Sequence, residues 1–251
     1  MELKRKPFQG VLNIVRFNWH FYLIAGLVIT SSFFLTHYLP EQTKPFAFTF
    51  TILAFLAIII SLLTSYYIYD YSPLYQINWL SNLNNKKILN INAGFDETSG
   101  IIKNKFPECE LTICDFYNPE KHTEISIKRA RRAYPMLEKT IQVTNNNLPF
   151  QNSSFDSVLA ILSAHEIRDE NERIHFFIEL NRVIKPTGQI FVTEHLRDWN
   201  NFIVYTIGFF HFHSRASWLK TFKGANLIVR KEIKTTPFIT TFILEKNVAA
   251  L

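Results

Sequence analysis

Two stretches of this chain set imidazoles beside carboxylates: Leu162-Ser163-Ala164-His165-Glu166-Ile167-Arg168 and Thr193-Glu194-His195-Leu196-Arg197-Asp198. His165 and His195 titrate where a base working near neutrality must, and Glu166 or Glu194 can orient or tune either ring. The plainer alternative is that these side chains only satisfy backbone groups of a loop. Upstream, the apolar run Ile88-Leu89-Asn90-Ile91 leads into Asn92-Ala93-Gly94 and then a helix-prone acidic segment. A strand that ends in a turn tolerating positive φ and opens a helix is the nucleotide-facing corner of a doubly wound α/β domain.

Such residues act together only on a frame that brings distant strand ends to one edge. After residue 85, apolar strand patterns alternate with helical ones, which predicts a mostly parallel sheet. Strands are expected near 86–92, 110–115, 139–143, 155–162 and 188–194, and helices near 96–105, 119–133, 169–184 and 214–225. The third helix has Ile174, Phe177, Leu180, Val183 and Ile184 on one face, with Asp169 placed as its N-cap. Ile228–Ile233 and Phe238–Leu244 read as an antiparallel pair closing the sheet. In doubly wound sheets, chemistry gathers beyond the carboxyl ends of the strands, where both His/Glu stretches fall.

The first 80 residues have a different character. Residues 17–40 and 45–69 contain no Asp, Glu, Lys or Arg. A helix crossing the hydrocarbon core needs roughly 20 apolar residues, so a two-helix transmembrane hairpin is predicted, with spans of about 17–39 and 46–69. Lys4, Arg5, Lys6 and Arg16 precede the first span, and the connector holds only Lys44. The positive-inside rule then places the remainder, residues 81–251, on the cytoplasmic face. Residues 1–16 read as an interfacial start, Tyr71–Asn85 as an interfacial linker, and the tyrosines between 66 and 75 as an aromatic belt. Cys109 and Cys114 make neither a disulfide framework nor a zinc site. The net charge of +6 comes with no nucleic-acid-binding motif, so membrane lipids rather than nucleic acid are the expected partners.

Taken in order, Gly94, Asp115, Leu148-Pro149-Phe150 before Ser154-Phe155-Asp156, and Lys185-Pro186-Thr187-Gly188 resemble class I S-adenosylmethionine-dependent methyltransferases. The similarity is to the subgroup that includes quinone-biosynthesis C-methyltransferases, and it covers about residues 86–246. It implies a Rossmann-like doubly wound seven-stranded sheet and S-adenosyl-L-methionine as cofactor. On that resemblance Gly94 lets the backbone approach the methionine part, Asp115 accepts the ribose hydroxyls, and Phe116 and Leu148 flank the adenine. Asn90, Asn92, Asp96, Asn146 and Leu162 complete the expected cofactor site. Asn92 and Asp96 stand where the family has glycines; Asn tolerates left-handed φ, and Asp96 adds a carboxylate for the cofactor's amino group. Lys185–Gly188 is expected as the turn that ends a helix, with Gly188 at its C-terminus.

Methyl transfer is an in-line displacement, so the protein chiefly aligns the acceptor and excludes water. The aromatic segment Asn200–Trp218 follows the fifth strand, and Phe202, Tyr205, Phe209, Phe210, Phe212 and Trp218, with His211 and His213 at the mouth, are candidate lining of an apolar pocket for a small lipophilic substrate. A core helix and partial insertion into the lipid interface are the alternatives for that segment. His211 and His213 have no acidic or Cys partner beside them in sequence, so no metal is expected. Lys128, Arg129, Arg131 and Arg132 make one helix strongly basic, facing either solvent or anionic headgroups. Besides an enzyme acting on a membrane lipid or quinone-like acceptor, a tethered enzyme with a soluble acceptor and a catalytically silent binding module fit the sequence.

Overall fold

In the computed structural model, which describes residues 5–247, seven strands form one sheet in the order β3-β2-β1-β4-β5-β7-β6. The strands are β1 (Lys87–Asn92), β2 (Glu110–Asp115), β3 (Ile141–Gln142), β4 (Phe155–Ile161), β5 (Ile184–His195), β6 (Leu227–Thr236) and β7 (Ile239–Lys246). β7 alone runs antiparallel, inserted between β5 and β6. Strand order reverses between β1 and β4, so the ligand crevice of a doubly wound sheet lies above Asn92 and Ile161.

The helices are α1 (Gln9–Thr36), α2 (Lys44–Tyr66), α3 (Ser99–Lys105), α4 (Ile125–Ala133), α5 (Glu170–Val183), α6 (Trp199–Tyr205) and α7 (Arg215–Gly224). α5 starts where its cap predicts: the Asp169 carboxylate accepts the Glu172 N–H at 2.8 Å. Phe176, Phe177, Leu180 and Val183 of α5 are buried against Trp218 and Phe222 of α7 and against β5.

β5 begins four residues earlier than the turn reading of Lys185–Gly188 allows. Phe155 pairs with Ile184 and Ser157 with Gln189, a register shift that takes up the extra residues as a bulge. Gly188 is therefore not a left-handed helix terminus. A Cβ there would lie 2.7 Å from the Ile184 side chain and 2.9 Å from the Asp156 carbonyl, so this glycine serves close packing.

α1 and α2 are both long and apolar enough to cross a membrane, and their apolar windows are almost wholly unburied. The 23 residues of α2 reach about 35 Å at 1.5 Å each, against a hydrocarbon core of about 30 Å. α1 begins at Gln9, well before the expected span, and its first turns dock onto the α/β domain. Gly10, Asn13 and Phe17 are buried there, and the helix kinks at Asn18 before its exposed part begins. The N-terminal N–H groups of α1 have no cap of their own. Asp70 supplies one from elsewhere in the chain, accepting from Gly10 N at 2.7 Å and Val11 N at 2.8 Å.

Residues 71–85 are not a linker. Leu74, Ile77, Leu80 and Leu83 are buried, the last three in the core beneath β1 and β4. Tyr69 and Tyr75 also leave the expected aromatic belt. Each turns its phenol inward to a buried partner, His195 and Glu97 respectively.

Candidate active site

The turn after β1 is built from its own polar residues. Gly94 has φ +96°, a conformation that L-residues with a Cβ rarely adopt. Asn92 Oδ1 accepts the Gly94 N–H at 3.1 Å, and Asp96 Oδ1 accepts from Thr98 N and Ser99 N, both at 2.9 Å, starting α3. Asn90 points to the same helix start, donating to Thr98 Oγ1 and Ser99 Oγ, so it braces the turn rather than reaching a ligand. Asn92 Nδ2 and Asp96 Oδ2 are buried without a partner among the described residues. A free donor and a free acceptor beside a left-handed glycine fit the carboxylate and ammonium ends of an amino acid, which is the methionine part of S-adenosylmethionine.

Asp115 ends β2 with a fully buried carboxylate. Oδ1 accepts the Tyr117 N–H at 2.8 Å, and Oδ2 pairs with Arg131 of α4. The Arg131 guanidinium lies 4.4 Å over the Tyr117 ring, and its Cδ and Nη1 come within 3.0 Å of the position a Gly94 Cβ would take. Arg131 therefore covers both residues to which the resemblance gives the adenosine and methionine contacts. A ribose that binds Asp115 must displace it. Of the other expected adenine contacts, Phe116 packs between His122 and Phe176, Leu148 is buried with its N–H on Glu179, and Asn146 is exposed on a turn. None of the three lines a cavity.

Beyond the carboxyl ends of β1, β4 and β5 lies a cavity of about 750 Å³. Leu162, at φ 51°, His165, Glu166 and His195 form its floor with Asn92 and Ala93. Its roof is the base of the hairpin: Asn13, Ile14, Phe17 and Phe21 of α1, Ser61 of α2, and Tyr69. Glu97, not singled out in the sequence, holds that roof. It pairs with Arg5 at 2.8 Å and accepts from Tyr75 at 2.7 Å, while Arg5 stacks 3.7 Å over Tyr75. On the far side Tyr134 donates to Asn13 Oδ1 at 3.0 Å, and Arg129 donates to the Phe17 carbonyl at 2.7 Å. The basic helix is thus divided: Arg129 and Arg131 serve the site, and Lys128 and Arg132 are exposed.

The four candidate catalytic residues come together in unequal roles. Glu194 is fully buried outside the cavity lining. It accepts from Ser163 N at 3.1 Å and His165 N at 3.2 Å and holds the His165 ring at 2.6 Å, so it positions the loop after β4. Burial opposes charge on His165, but Glu194 and Glu166 outweigh it and raise the imidazole to about 10. Burial likewise opposes the Glu166 carboxylate, yet His165 brings it down to about 2. His195 is the reverse case, pushed down to about 4 chiefly by burial. Asn201 donates its Nδ2 to Asp198 and the Phe238 carbonyl, leaving its Oδ1 to accept from His195 Nδ1 at 3.0 Å. That assignment leaves His195 Nε2 to accept the Tyr69 hydroxyl at 2.8 Å, a neutral base capped by a phenol.

The aromatic segment after β5 splits as well. Tyr205, His211 and Phe212 line the cavity as expected, and the Phe212 ring stacks on His195 at 4.6 Å. Phe202 is exposed and stacks on Trp199, Phe209 packs against Phe202 outside the cavity, and His213 sits over Trp218 within reach of Arg173. Trp218 is fully buried in the α5–α7 core, because α7 starts at Arg215 and carries it inward. Trp218→Ala is therefore expected to cost about 3–5 kcal/mol of stability, read by thermal denaturation, with no selective effect on acceptor binding.

Residues 105–192 match the family model described as "Methyltransferase domain". A demethylmenaquinone methyltransferase from Thermotoga maritima is 29% identical over 118 residues, 47% of each protein, so the chain spans about half the length of this curated relative. Among solved structures, a SAM-dependent methyltransferase from Aquifex aeolicus aligns with 75% of this chain and 97% of its own, at a TM-score of 0.53 and 13% identity, a likeness of fold.

Proposed function

We propose, for a chain that carries a class I S-adenosylmethionine-dependent methyltransferase domain, that it methylates a lipophilic acceptor drawn from the membrane its hairpin enters. The observation that carries this reading is the cavity roof. The acceptor space above β4 and β5 is lined by the root of α1 and by Ser61 of α2, so a molecule leaving a bilayer along the hairpin meets the cavity that holds His195. Trp199, Phe202, Ile203 and Phe210 are exposed on the neighbouring segment, which suits contact with a bilayer surface. The basic N-terminal side of the hairpin supports a domain on the cytoplasmic face. A relative named for demethylmenaquinone supports a quinone-like acceptor over a phospholipid.

The cofactor supplies an electrophilic methyl group. We assign Asn92 and Asp96 to its amino-acid end on their unpartnered buried atoms, Gly94 to its close passage, and Asp115 to its ribose. The chain's remaining task is to align the acceptor in a dry space and, where the acceptor must lose a proton, to take it. His195 is the residue suited to that. It is neutral, and Tyr69 already holds its Nε2 at the cavity wall; an acceptor hydroxyl that displaces the phenol can hand its proton to the same nitrogen. His165, charged between Glu166 and Glu194, is no base.

Calorimetric titration of the full chain in detergent with S-adenosylmethionine and S-adenosylhomocysteine tests the reading, with one site for each expected; binding of neither would refute it. The Arg131–Asp115 pair favours a second reading, a silent module that keeps the fold. It predicts that neither ligand binds even to Arg131→Ala.

A further inference from the structure

At the cavity's edge the loop after β4 meets the segment after α6, and three ligand atoms converge there. His165, Glu166 and His211 each offer one, all within 4.8 Å of one another. His165 Nε2 lies 3.4 Å and His211 Nε2 3.8 Å from the same oxygen, Glu166 Oε1. Both separations are longer than ordinary hydrogen bonds. Ligands held at about 2.0–2.2 Å from a shared cation stand roughly 3.0–3.6 Å apart, so a small inward movement closes this gap around a metal.

The outer contacts strengthen the case. Metal-binding imidazoles usually fix their second nitrogen on a carboxylate or carbonyl. Here His165 Nδ1 lies 2.6 Å from buried Glu194, and His211 Nδ1 lies 2.9 Å from Glu124. Two rings braced on their Nδ1 sides turn their Nε2 atoms towards one carboxylate, and an ion bound there takes the place of the proton that His165 otherwise carries. Arg168 pairs with Glu124 at 3.0 Å and donates to the His211 carbonyl, and its Nη2 meets His211 at both ring nitrogens, Nδ1 and, at 3.3 Å, Nε2, so an ion bound by His211 Nε2 must displace that guanidinium contact. Sequence neighbours hid this group, since the acids that serve His211 come from residues 124 and 166.

We propose that His165, Glu166 and His211 bind a divalent transition-metal ion, with its open positions facing the cavity. Two imidazoles and a carboxylate with no thiolate suit zinc, iron(II), manganese or cobalt rather than calcium or magnesium. The open positions take an oxygen donor, either water or a hydroxyl or carbonyl oxygen of a molecule in the cavity, where the ion acts as a Lewis acid. The site exists whether or not the chain transfers methyl groups. As a deepening of the proposed function, it narrows the acceptor to one with an oxygen near the methylated atom.

Cobalt(II) tests this directly. The full chain in detergent, stripped with chelator, should bind one cobalt ion with a visible d–d spectrum and no thiolate charge-transfer band, and zinc should displace it. Glu166→Gln, which keeps the shape of the side chain, and His211→Gln, in a half-buried turn, should each weaken zinc binding by at least tenfold in equilibrium dialysis while both proteins keep their circular dichroism. Adding S-adenosylhomocysteine should leave the stoichiometry unchanged, which separates this site from the cofactor's. No bound cobalt, a thiolate band, or unchanged zinc affinity in both variants would overturn the proposal.

Discussion

Asp115→Ala is expected to weaken S-adenosylhomocysteine binding by about 10- to 150-fold, because hydrogen bonds to a charged group contribute about 1.5–3 kcal/mol. Arg131→Ala should do the opposite. In the folded chain the Asp115 carboxylate is already engaged by Arg131, whose side chain also lies over Gly94. A ribose must break that pair before it gains its own bonds, so deleting the guanidinium removes a competitor from the same oxygen. Both variants can be measured by calorimetry, and the difference in sign matters more than either magnitude. Weakening of similar size in both would mean that Arg131 holds the cofactor rather than guarding its place. An unchanged Asp115→Ala would remove the ribose assignment altogether.

Glu97→Ala should release the cavity roof. The carboxylate pairs with Arg5 and accepts from Tyr75, and it lies within 3.4–3.5 Å of the Gln9 and Asn13 amides, so four residues of the hairpin's root depend on one side chain. Arg5 and Glu97 are mostly buried, and breaking such a pair leaves a charge with little solvent, at about 3–5 kcal/mol when burial is complete and less here. The expected outcome is at least a tenfold loss of methyl transfer to a membrane-embedded acceptor, with S-adenosylhomocysteine affinity within about twofold of wild type, since Glu97 makes no contact with Asp115 or Gly94. Loss of cofactor binding in this variant would show that the roof shapes the cofactor site as well. Gly10 reports on the same joint from the other side: a Cβ there would lie 2.4 Å from Tyr69 Cβ, so the close seating of α1 needs glycine.

The parts of the fold that were legible in the sequence are those governed by local patterning. β2 runs from Glu110 to Asp115 as its apolar run predicts, and α5 begins after the Asp169 cap because that side chain needs only the N–H three residues on. The failures are all matters of distance along the chain. Leu74, Ile77, Leu80 and Leu83 look like a linker because their spacing is irregular and polar residues separate them; only the sheet they pack under makes them core. Gly188 reads as a helix terminus until the bulge between Phe155 and Ser157 is known. Trp218 belongs to an aromatic-rich segment, yet the start of α7 at Arg215 decides that it faces Phe177 and not the cavity.

The candidate site divides along the same line. Asp115, Gly94, His165 and His195 are readable as candidates because strand ends in a doubly wound sheet are where chemistry collects. Glu97, Asp70 and Tyr69 escaped because their partners lie 60 or more residues away, or on another element, and no local pattern announces them. Arg131 was visible only as one member of a basic helix. Its ion pair with Asp115 depends on α4 crossing the end of β2, which the spacing of Lys128, Arg129, Arg131 and Arg132 does not reveal.

Methyl groups from S-adenosylmethionine are expected to pass to an acceptor that enters beneath the hairpin. Incubating the full chain in lipid nanodiscs made from a native membrane extract with methyl-tritiated S-adenosylmethionine, then partitioning the products, tests it most directly. Label is expected in the organic phase, in a molecule that chromatographs with quinone-like lipids and disappears with His195→Ala. Label confined to the aqueous phase, or none in the presence of bound cofactor, would contradict it.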